Sequence, residues 1–169
     1  SLMCDKAPET IRWIEHMGAV FSRTPAGKIA QRAMGGQSYA RTCYAKDRIG
    51  LTLLQTIYEQ ALHEGVLFLD EWYVCDLLYE NGKAYGVIAF SLKNTEFRIF
   101  NARAVMFATG GYARAFKTNS NALANTGDGL AIVAKKGLPL EDMEFVQFHP
   151  TGLAGTGILI SEAARGEGG

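Results

Sequence analysis

The stretch Ala104-Val105-Met106-Phe107-Ala108-Thr109-Gly110-Gly111 decides the fold class. Its first five residues form an uninterrupted apolar run, which predicts a strand buried on both faces. The three residues that follow predict a tight turn, where bare backbone N–H groups can meet the phosphate or ring of a ligand. Taken alone, a strand followed by two glycines is more often only a turn.

Upstream of this stretch the sequence predicts an antiparallel meander. Four short β-rich runs follow one another: Val66–Asp70, Trp72–Tyr79, Ala84–Leu92 and Glu96–Phe100. Asn81-Gly82 separates two of them and is a strong hairpin signal, because both residues tolerate positive φ. Asn94-Thr95 is a weaker signal of the same kind.

Three helices are predicted around the meander. They cover about residues 5–17, 47–63 and 129–136, and each is followed by a terminating glycine: Gly18, Gly65 and Gly137. Asp5 is the expected N-cap of the first helix, with Pro8 in its first turn. The expected apolar face of the second consists of Leu51, Leu54, Tyr58, Ala61 and Leu62. Residues 22–44 have no sustained period and predict a loop.

Length, charge and composition limit the classes of protein. The chain has 169 residues, 48% of them hydrophobic, which suits a folded protein of one domain or one domain plus part of another. Its 17 Lys and Arg residues balance 17 Asp and Glu residues. This balance gives no electrostatic reason to expect a nucleic acid or an anionic membrane as partner. The sequence has no apolar run of the roughly 18 residues that a membrane-spanning helix needs.

The cysteines and histidines give no metal-site pattern. Cys4, Cys43 and Cys75 are odd in number and widely spaced, which favours small buried thiols in a reducing compartment over disulfides. No Cys/His spacing resembles a zinc site, so we expect no structural metal.

Several polar residues have both an ordinary and a functional interpretation. Asp128 precedes a predicted helix and is either an N-cap or a carboxylate that binds a hydroxyl of a nucleotide or ribityl chain. His149 sits between Phe148 and Pro150-Thr151-Gly152 and is either structural or able to donate to a carboxylate. Ser161 either caps a helix or holds an anion together with the helix N-terminus. Arg165 either pairs with Glu162 or holds a carboxylate.

Four motifs in order strengthen the functional interpretation. They are ATGG at 108–111, NTGDG at 125–129, EFVQFHPTG at 144–152 and SEAARGEGG at 161–169. Together they resemble the flavoprotein subunit family of succinate dehydrogenase and fumarate reductase, and the resemblance covers nearly the whole chain. It implies an α/β fold: a portion of a Rossmann-like FAD-binding domain with an antiparallel β-meander at 1–142, and the start of a mobile capping domain at 143–169.

The resemblance also implies the roles of individual residues. Ala108, Thr109, Gly110, Gly111 and Asp128 match contacts to FAD, and the backbone of Val74 matches the position that faces its adenine. His149 and Ser161 match residues that hydrogen-bond a substrate carboxylate. Glu162 matches the neighbouring catalytic residue of the proton relay.

The implied reaction interconverts succinate and fumarate, with hydride exchange at flavin N5. Such chemistry needs hydroxyl, imidazole and guanidinium donors that fix two carboxylates in a cleft without water. The implied partners are an iron–sulfur subunit, which passes electrons on to quinone, and a membrane anchor. They would hold the protein on the cytoplasmic or mitochondrial matrix face of the inner membrane.

The sequence departs from the family pattern in several places. Serine stands at 161 where the family usually has threonine, and the run 47–51 is DRIGL in place of the commoner DRTGH. The sequence has no N-terminal Gly-x-Gly-x-x-Gly fingerprint, no histidine segment for covalent FAD, and no capping-domain arginine. These observations predict an internal fragment with little or no activity on its own.

Two alternatives stay open. L-Aspartate oxidase has similar His-Pro-Thr and Ser/Thr-Glu-Ala segments, although the spacing from His149 to Ser161 and the glycines at 152, 155 and 157 fit the dehydrogenase pattern better. The other alternative is a non-catalytic FAD-binding or assembly module. The retention of His149 beside Ser161-Glu162 argues against this module, because a scaffold does not need a group that binds carboxylates.

Overall fold

The computed structural model describes residues 2–34, 37–147, 149, 151–156, 158–160 and 164. Within this part of the chain the structure divides into two compact units. The first contains the described residues up to Phe68, and the second extends from Leu69 to Ile160.

The first unit contains two helices and one small sheet. Its elements are α1 (Leu2–His16), β1 (Gln31–Arg32), β2 (Thr42–Cys43) and α2 (Ile49–His63), and β1 pairs with β2 in antiparallel orientation. The buried side chains are few and small apart from one aromatic: Ala19, Phe21, Ala30, Ala45 and Thr56. The apolar face predicted for α2 is not covered by the described residues, since Leu54 is 68% exposed.

The predicted helix ends are confirmed, and all three have the same geometry. Gly18, Gly65 and Gly137 have φ of 110°, 73° and 71°, a region that glycine enters without steric cost. In each case the glycine N–H and the next N–H donate to carbonyl oxygens of the last helical turn, as in a Schellman motif. After α2, for example, the Val66 N–H donates to the Ala61 carbonyl oxygen at 2.9 Å.

The second unit is built on the predicted meander. Strands β3 (Trp72–Glu80), β4 (Lys83–Ser91) and β5 (Phe97–Asn101) form an antiparallel sheet in sequence order, and α3 (Asp128–Lys135) packs against β3. Leu77 and Ala89 of the sheet and Ile132 of α3 are buried. Asn81 and Gly82 have φ of 49° and 78°, so the turn has the positive angles of type I′ and the hairpin prediction is confirmed.

A β-bulge interrupts β3 near its start. Val74 pairs with Ala89 and Asp76 pairs with Ile88, so Cys75 has no partner in the register. An extra residue of this kind bends a strand and increases its twist. Trp72, Tyr73 and Val74, which precede the bulge, all line one cavity of the second unit.

Two predicted strands are wrong. The run 66–70 forms no strand, because the N–H of Val66 is used by the cap of α2 and the ring of Phe68 packs on Tyr58 with centroids 4.7 Å apart. The run 104–108 pairs with no other strand among the described residues, and Met106 is 91% exposed. An apolar run becomes a buried strand only where neighbours pair with it and cover it.

Three further local expectations need correction. Asp5 does not cap α1, because the helix starts at Leu2 and includes Asp5 in its first turn, with Pro8 inside the helix. Asp128 is the first residue of α3 and not its cap, which is Gly127 at φ 86°. The loop predicted over residues 22–44 contains the short β1–β2 pair.

Candidate functional site

A cavity of about 290 Å³ lies between the start of β3, the segment 105–109 and the N-terminal end of α3. It brings together three of the residues predicted to bind a cofactor: Val74, Thr109 and Asp128. Its walls are mostly apolar, with Val87, Met106 and Ile132 among them. An apolar cleft with a few convergent polar groups is the usual form of a small-molecule site.

The carboxylate of Asp128 is the charged group of this cavity. The Thr126 hydroxyl donates to Asp128 Oδ2 at 2.7 Å, and the Tyr73 side chain lines the same cavity. Partial burial, followed by the effect of the Asp128 carboxylate, raises the pKa of the Tyr73 phenol. The phenol therefore stays protonated and remains a donor at neutral pH.

Close backbone packing joins the glycine turn to α3. A Cβ added at Gly129 would overlap the Thr109 hydroxyl and lie 2.8 Å from the Cβ and Cγ2 of Thr109. A Cβ added at Gly127 would lie 2.7 Å from the Cβ of Tyr112. Gly127, the cap of α3, and Gly129, in its first turn, are thus required because residues 112 and 109 pack directly on their backbone.

An ion pair joins β3 and α3 at the other end of the helix. Lys136 Nζ lies 2.6 Å from Asp76 Oδ2, and the two side chains are 24% and 40% exposed. The hydrogen bond from Lys136 is the main reason why the pKa of Asp76 is lowered, and the Leu77 N–H adds to the effect. The side chain of Asp76 on β3 therefore holds the C-terminal end of α3 through Lys136.

A second cavity, of about 510 Å³, contains His149. Its wall is more polar than that of the first and includes Lys117, Asn119, Asn121 and Gln147. Nδ1 of His149 lies 2.7 Å from the Thr151 carbonyl oxygen, which orients the ring within its own loop. Amide, ammonium and imidazole groups around one cavity are suited to binding a carboxylate.

Two asparagine side chains connect the glycine turn at 109–111 with the second cavity. The Asn125 Nδ2 donates to Asn121 Oδ1 at 2.9 Å, and Asn121 lines the cavity of His149. A Cβ added at Gly110 would lie 3.2 Å from Asn125 Oδ1, and Gly110 has φ of 70°. The same polypeptide segment thus contacts the turn at 109–111 and supplies donors near His149.

The structure groups the predicted site residues only in part. Val74, Thr109 and Asp128 line the first cavity, whereas the exposed residues Ala108, Gly110 and Gly111 belong to the turn beside it. Ser161 and Glu162 lie outside the described residues. Tyr73 also lines the first cavity, and it was not among the site residues predicted from the sequence.

The prediction that the cysteines are small buried thiols is wrong, since Cys4 is exposed and Cys43 and Cys75 are only half-buried. Cys4, Cys43 and Cys75 form no disulfide. No cluster of three His, Cys, Asp or Glu side chains suited to a metal ion occurs in the described part of the chain. The helices of that same part are too short or too polar to cross a bilayer.

Comparison with known proteins identifies the family. The FAD binding domain family matches residues 1–169. The succinate dehydrogenase flavoprotein subunit of Rickettsia bellii is 48% identical over 99% of this chain and 29% of its own length. The fumarate reductase flavoprotein subunit of Mycobacterium tuberculosis is 44% identical over 97% of this chain and 28% of its own length.

Solved structures of similar flavoproteins also superimpose on this chain. The structure of an E. coli quinol fumarate reductase FrdA variant superimposes with a TM-score of 0.94 at 38% identity, over 98% of this chain and 28% of the other. Mycobacterium smegmatis Sdh1 in complex with UQ1 gives 0.85 at 36% identity, over 98% and 30%. The chain therefore spans less than a third of these relatives, and it belongs to the FAD binding domain family.

Proposed function

We propose that this chain forms part of an FAD-dependent oxidoreductase that interconverts succinate and fumarate. The observation that carries the proposal is the first cavity, where residues from three separate segments meet: Val74, Thr109 and Asp128. Two of these segments contain motifs of the flavoprotein subunit family. The similarity to succinate dehydrogenase and fumarate reductase subunits supports the substrate class.

The residues present fit the cofactor. Val87 and Ile132 give apolar walls suited to an aromatic ring, and Asp128 gives a carboxylate that accepts a hydrogen bond from a sugar or ribityl hydroxyl. The cavity of about 290 Å³ is at the lower limit for a ligand site, so it accommodates a portion of the dinucleotide. Beside this cavity, the backbone of Ala108, Gly110 and Gly111 is not covered by bulky side chains. When bound, FAD would accept a hydride, which carries both electrons of the oxidation.

The second cavity is the proposed site of the dicarboxylate. His149 would donate to one substrate carboxylate, with the Ser161 hydroxyl as its companion and Glu162 in the proton relay. Asn119, Asn121 and Lys117 supply further donors on the described wall of this cavity. Such fixed donors stabilise developing negative charge most strongly where water is excluded.

The domain organisation belongs to the same proposal. We place the end of the FAD-binding portion at residue 142 and the start of the capping domain at Met143. The Tyr112 hydroxyl donates to the Met143 carbonyl oxygen at 2.6 Å, so this border lies beside the glycine turn. Asp142 next to it has φ of 55°, a left-handed conformation that is uncommon outside glycine.

The proposed partners are an iron–sulfur subunit, which receives the electrons, and a membrane anchor. The relatives whose names mention quinol fumarate reductase support an electron-transfer complex. Attachment through such partners would place the protein at the cytoplasmic or mitochondrial matrix face of the membrane.

Succinate-dependent reduction of an artificial electron acceptor by the full-length protein tests the proposal, with and without malonate. We expect malonate-sensitive reduction, and a loss of about 10- to 100-fold in kcat/KM for His149→Ala, because a charge-assisted hydrogen bond is removed. His63→Ala, at an exposed position at the end of α2, is the matched control and should retain activity. Oxidation of aspartate and not succinate would replace the proposal by an L-aspartate oxidase.

A further inference from the structure

The described wall of the second cavity contains cationic and neutral polar side chains. Lys117 and His149 can carry positive charge, and no Asp or Glu is among the described residues that line this cavity. Asn119, Asn121 and Gln147 add amide groups, and each amide has a donor end and an acceptor end. The orientation of each amide therefore decides whether it attracts or repels a carboxylate.

Asn119 uses both ends of its amide within its own loop. Its Oδ1 accepts a hydrogen bond from Arg114 Nη1 at 3.0 Å, and its Nδ2 donates to the Phe116 carbonyl oxygen at 2.7 Å. These two bonds leave at most one N–H of the amide for a ligand. The main role of Asn119 is thus to stabilise the loop that forms the wall.

Asn121 has its donor end available. Its Oδ1 accepts a hydrogen bond from Asn125 Nδ2 at 2.9 Å, whereas its Nδ2 has no acceptor in the described part of the chain. An amide whose oxygen is engaged in this way offers two N–H donors. Because the side chain lines the cavity, these donors are available to a carboxylate there.

Asn125 is held by several contacts of its own. Its N–H donates to the Ala122 carbonyl oxygen at 3.0 Å, and its carbonyl oxygen accepts from the Arg114 N–H at 3.1 Å. A Cβ added at Gly110 would lie 3.2 Å from Asn125 Oδ1, so this oxygen lies against the glycine turn while the Nδ2 contacts Asn121. The half-buried Asn125 is therefore a fixed support for the exposed Asn121.

We propose that Asn121 donates to a carboxylate of the dicarboxylate substrate, and that Asn125 is a positioning residue that fixes the direction of the Asn121 amide. The inference rests on the proposed function, since it assumes that the second cavity binds the substrate. A half-turn of the Asn121 amide would put an acceptor where a donor is needed, and the hydrogen bond from Asn125 disfavours that rotation. A donor that is already oriented loses little conformational entropy when the ligand binds.

Binding of malonate to the full-length holoprotein, followed by the change in flavin absorbance, tests the inference without turnover. We expect Asn121→Ala to raise the Kd for malonate about tenfold or more, because a hydrogen bond to a charged group is lost. Asn125→Asp should raise it to a similar extent, since a carboxylate at 125 accepts from Asn121 Nδ2 and turns the amide oxygen toward the cavity. Asn94→Ala is the matched control: this amide contacts Glu96 in the turn between β4 and β5, and its loss should leave the Kd unchanged.

A double variant separates positioning from a simple effect of charge. In the Asn121→Ala background, Asn125→Asp should raise the Kd for malonate no more than about twofold further, because residue 125 has no amide left to orient. A general repulsion by the new carboxylate would act fully in both backgrounds, and that result would refute the positioning role. Loss of FAD confined to the Asn125 variants would assign Asn125 to the glycine turn alone, which also refutes it.

The outcomes distinguish this inference from the proposed function. If the wild-type protein binds malonate and Asn121→Ala binds it equally well, the inference is refuted and the proposed function stands. If the wild-type holoprotein neither binds malonate nor oxidises succinate, the proposed function is refuted and the inference with it. Steady-state kinetics give a second readout: Asn121→Ala should raise the KM for succinate about tenfold and change kcat less than about threefold, whereas a distorted fold would lower kcat.

Discussion

Replacement of Gly129 by alanine adds a methyl group where the first turn of α3 packs against Thr109. The new Cβ would overlap the Thr109 hydroxyl and lie 2.8 Å from two of its carbon atoms, whereas carbon atoms prefer about 3.5–4.0 Å. The backbone of α3 or the turn at 109–111 must therefore move by about 1 Å. Overpacking of this kind costs about 1–3 kcal/mol, and the better helix propensity of alanine offsets about 1 kcal/mol of it.

Gly50 provides the matched control for this substitution. It is also the second residue of a helix, α2, and a Cβ added there would meet nothing within 4 Å. Gly50→Ala should therefore raise the free energy of unfolding by about 0.5–1 kcal/mol. The two variants make the same chemical change, so the difference between them isolates the packing of Gly129 on Thr109.

Urea unfolding of both variants measures the difference, which should be about 1–3 kcal/mol in favour of Gly50→Ala. Gly129→Ala should also bind FAD more weakly, because Thr109 lines the first cavity. Thr109→Gly in the Gly129→Ala background removes the overlapping atoms and should restore part of the lost stability. Equal stability of Gly129→Ala and Gly50→Ala would refute the close packing of turn and helix.

Three further substitutions test the meander and its attachment to α3. The hydrogen bond from Lys136 holds the pKa of Asp76 below its ordinary value of 3.8. The ionised carboxylate therefore contributes to the free energy of unfolding above about pH 3.8, and this contribution is lost as the pH falls through the folded-state pKa. Asp76→Asn should remove this pH dependence, which amounts to about 1 kcal/mol or less of the free energy of unfolding because solvent partly screens the pair. Gly82→Ala should cost about 1 kcal/mol in thermal unfolding, because Gly82 has φ of 78° in the hairpin turn. Gly86→Ala should cost about 3 kcal/mol or more and reduce sheet content in circular dichroism, since its Cβ would overlap the Phe100 carbonyl oxygen; normal sheet content would contradict the register of β4 and β5.

The elements that the sequence predicted well are those with local causes. Each helix ends at a glycine because the αL cap needs a residue without a Cβ, and the three glycines were visible in the sequence. The Asn81-Gly82 turn was equally clear, because its positive φ values are a property of two adjacent residues. β3, β4 and β5 therefore lie within one or two residues of their predicted bounds.

The errors occur where structure depends on distant partners. The apolar run 104–108 has the composition of a buried strand, but composition does not determine which segment pairs with it. The run 66–70 has a similar composition, and the cap of α2 uses the first N–H that a ladder would need. In both cases the pairing of backbone groups decided the outcome, and a pattern of side chains does not record it.

The sequence predicted the motifs of the candidate site, but not the residues outside those motifs that also line the cavities. Thr109 and Asp128 were identified from glycine-containing motifs, and the structure brings both to one cavity with Val74. The position of Tyr73 in the wall of this cavity was not predicted, because it depends on how β3, the segment 105–109 and α3 pack together. The same limitation applies to Asn121, which reaches the cavity of His149 through the fold of its own loop.

The hairpin turn at Asn81-Gly82 offers a practical attachment point for a reporter. β3 has nine residues and rises about 3.3 Å per residue, so the turn lies roughly 25–30 Å along the strand from Trp72 and Tyr73. Both turn residues are exposed. A fluorophore or a short inserted peptide at this position would stay clear of the first cavity while remaining rigidly connected to it through one strand. Energy transfer between such a label and the flavin would then measure cofactor occupancy without altering any residue that contacts the cavity.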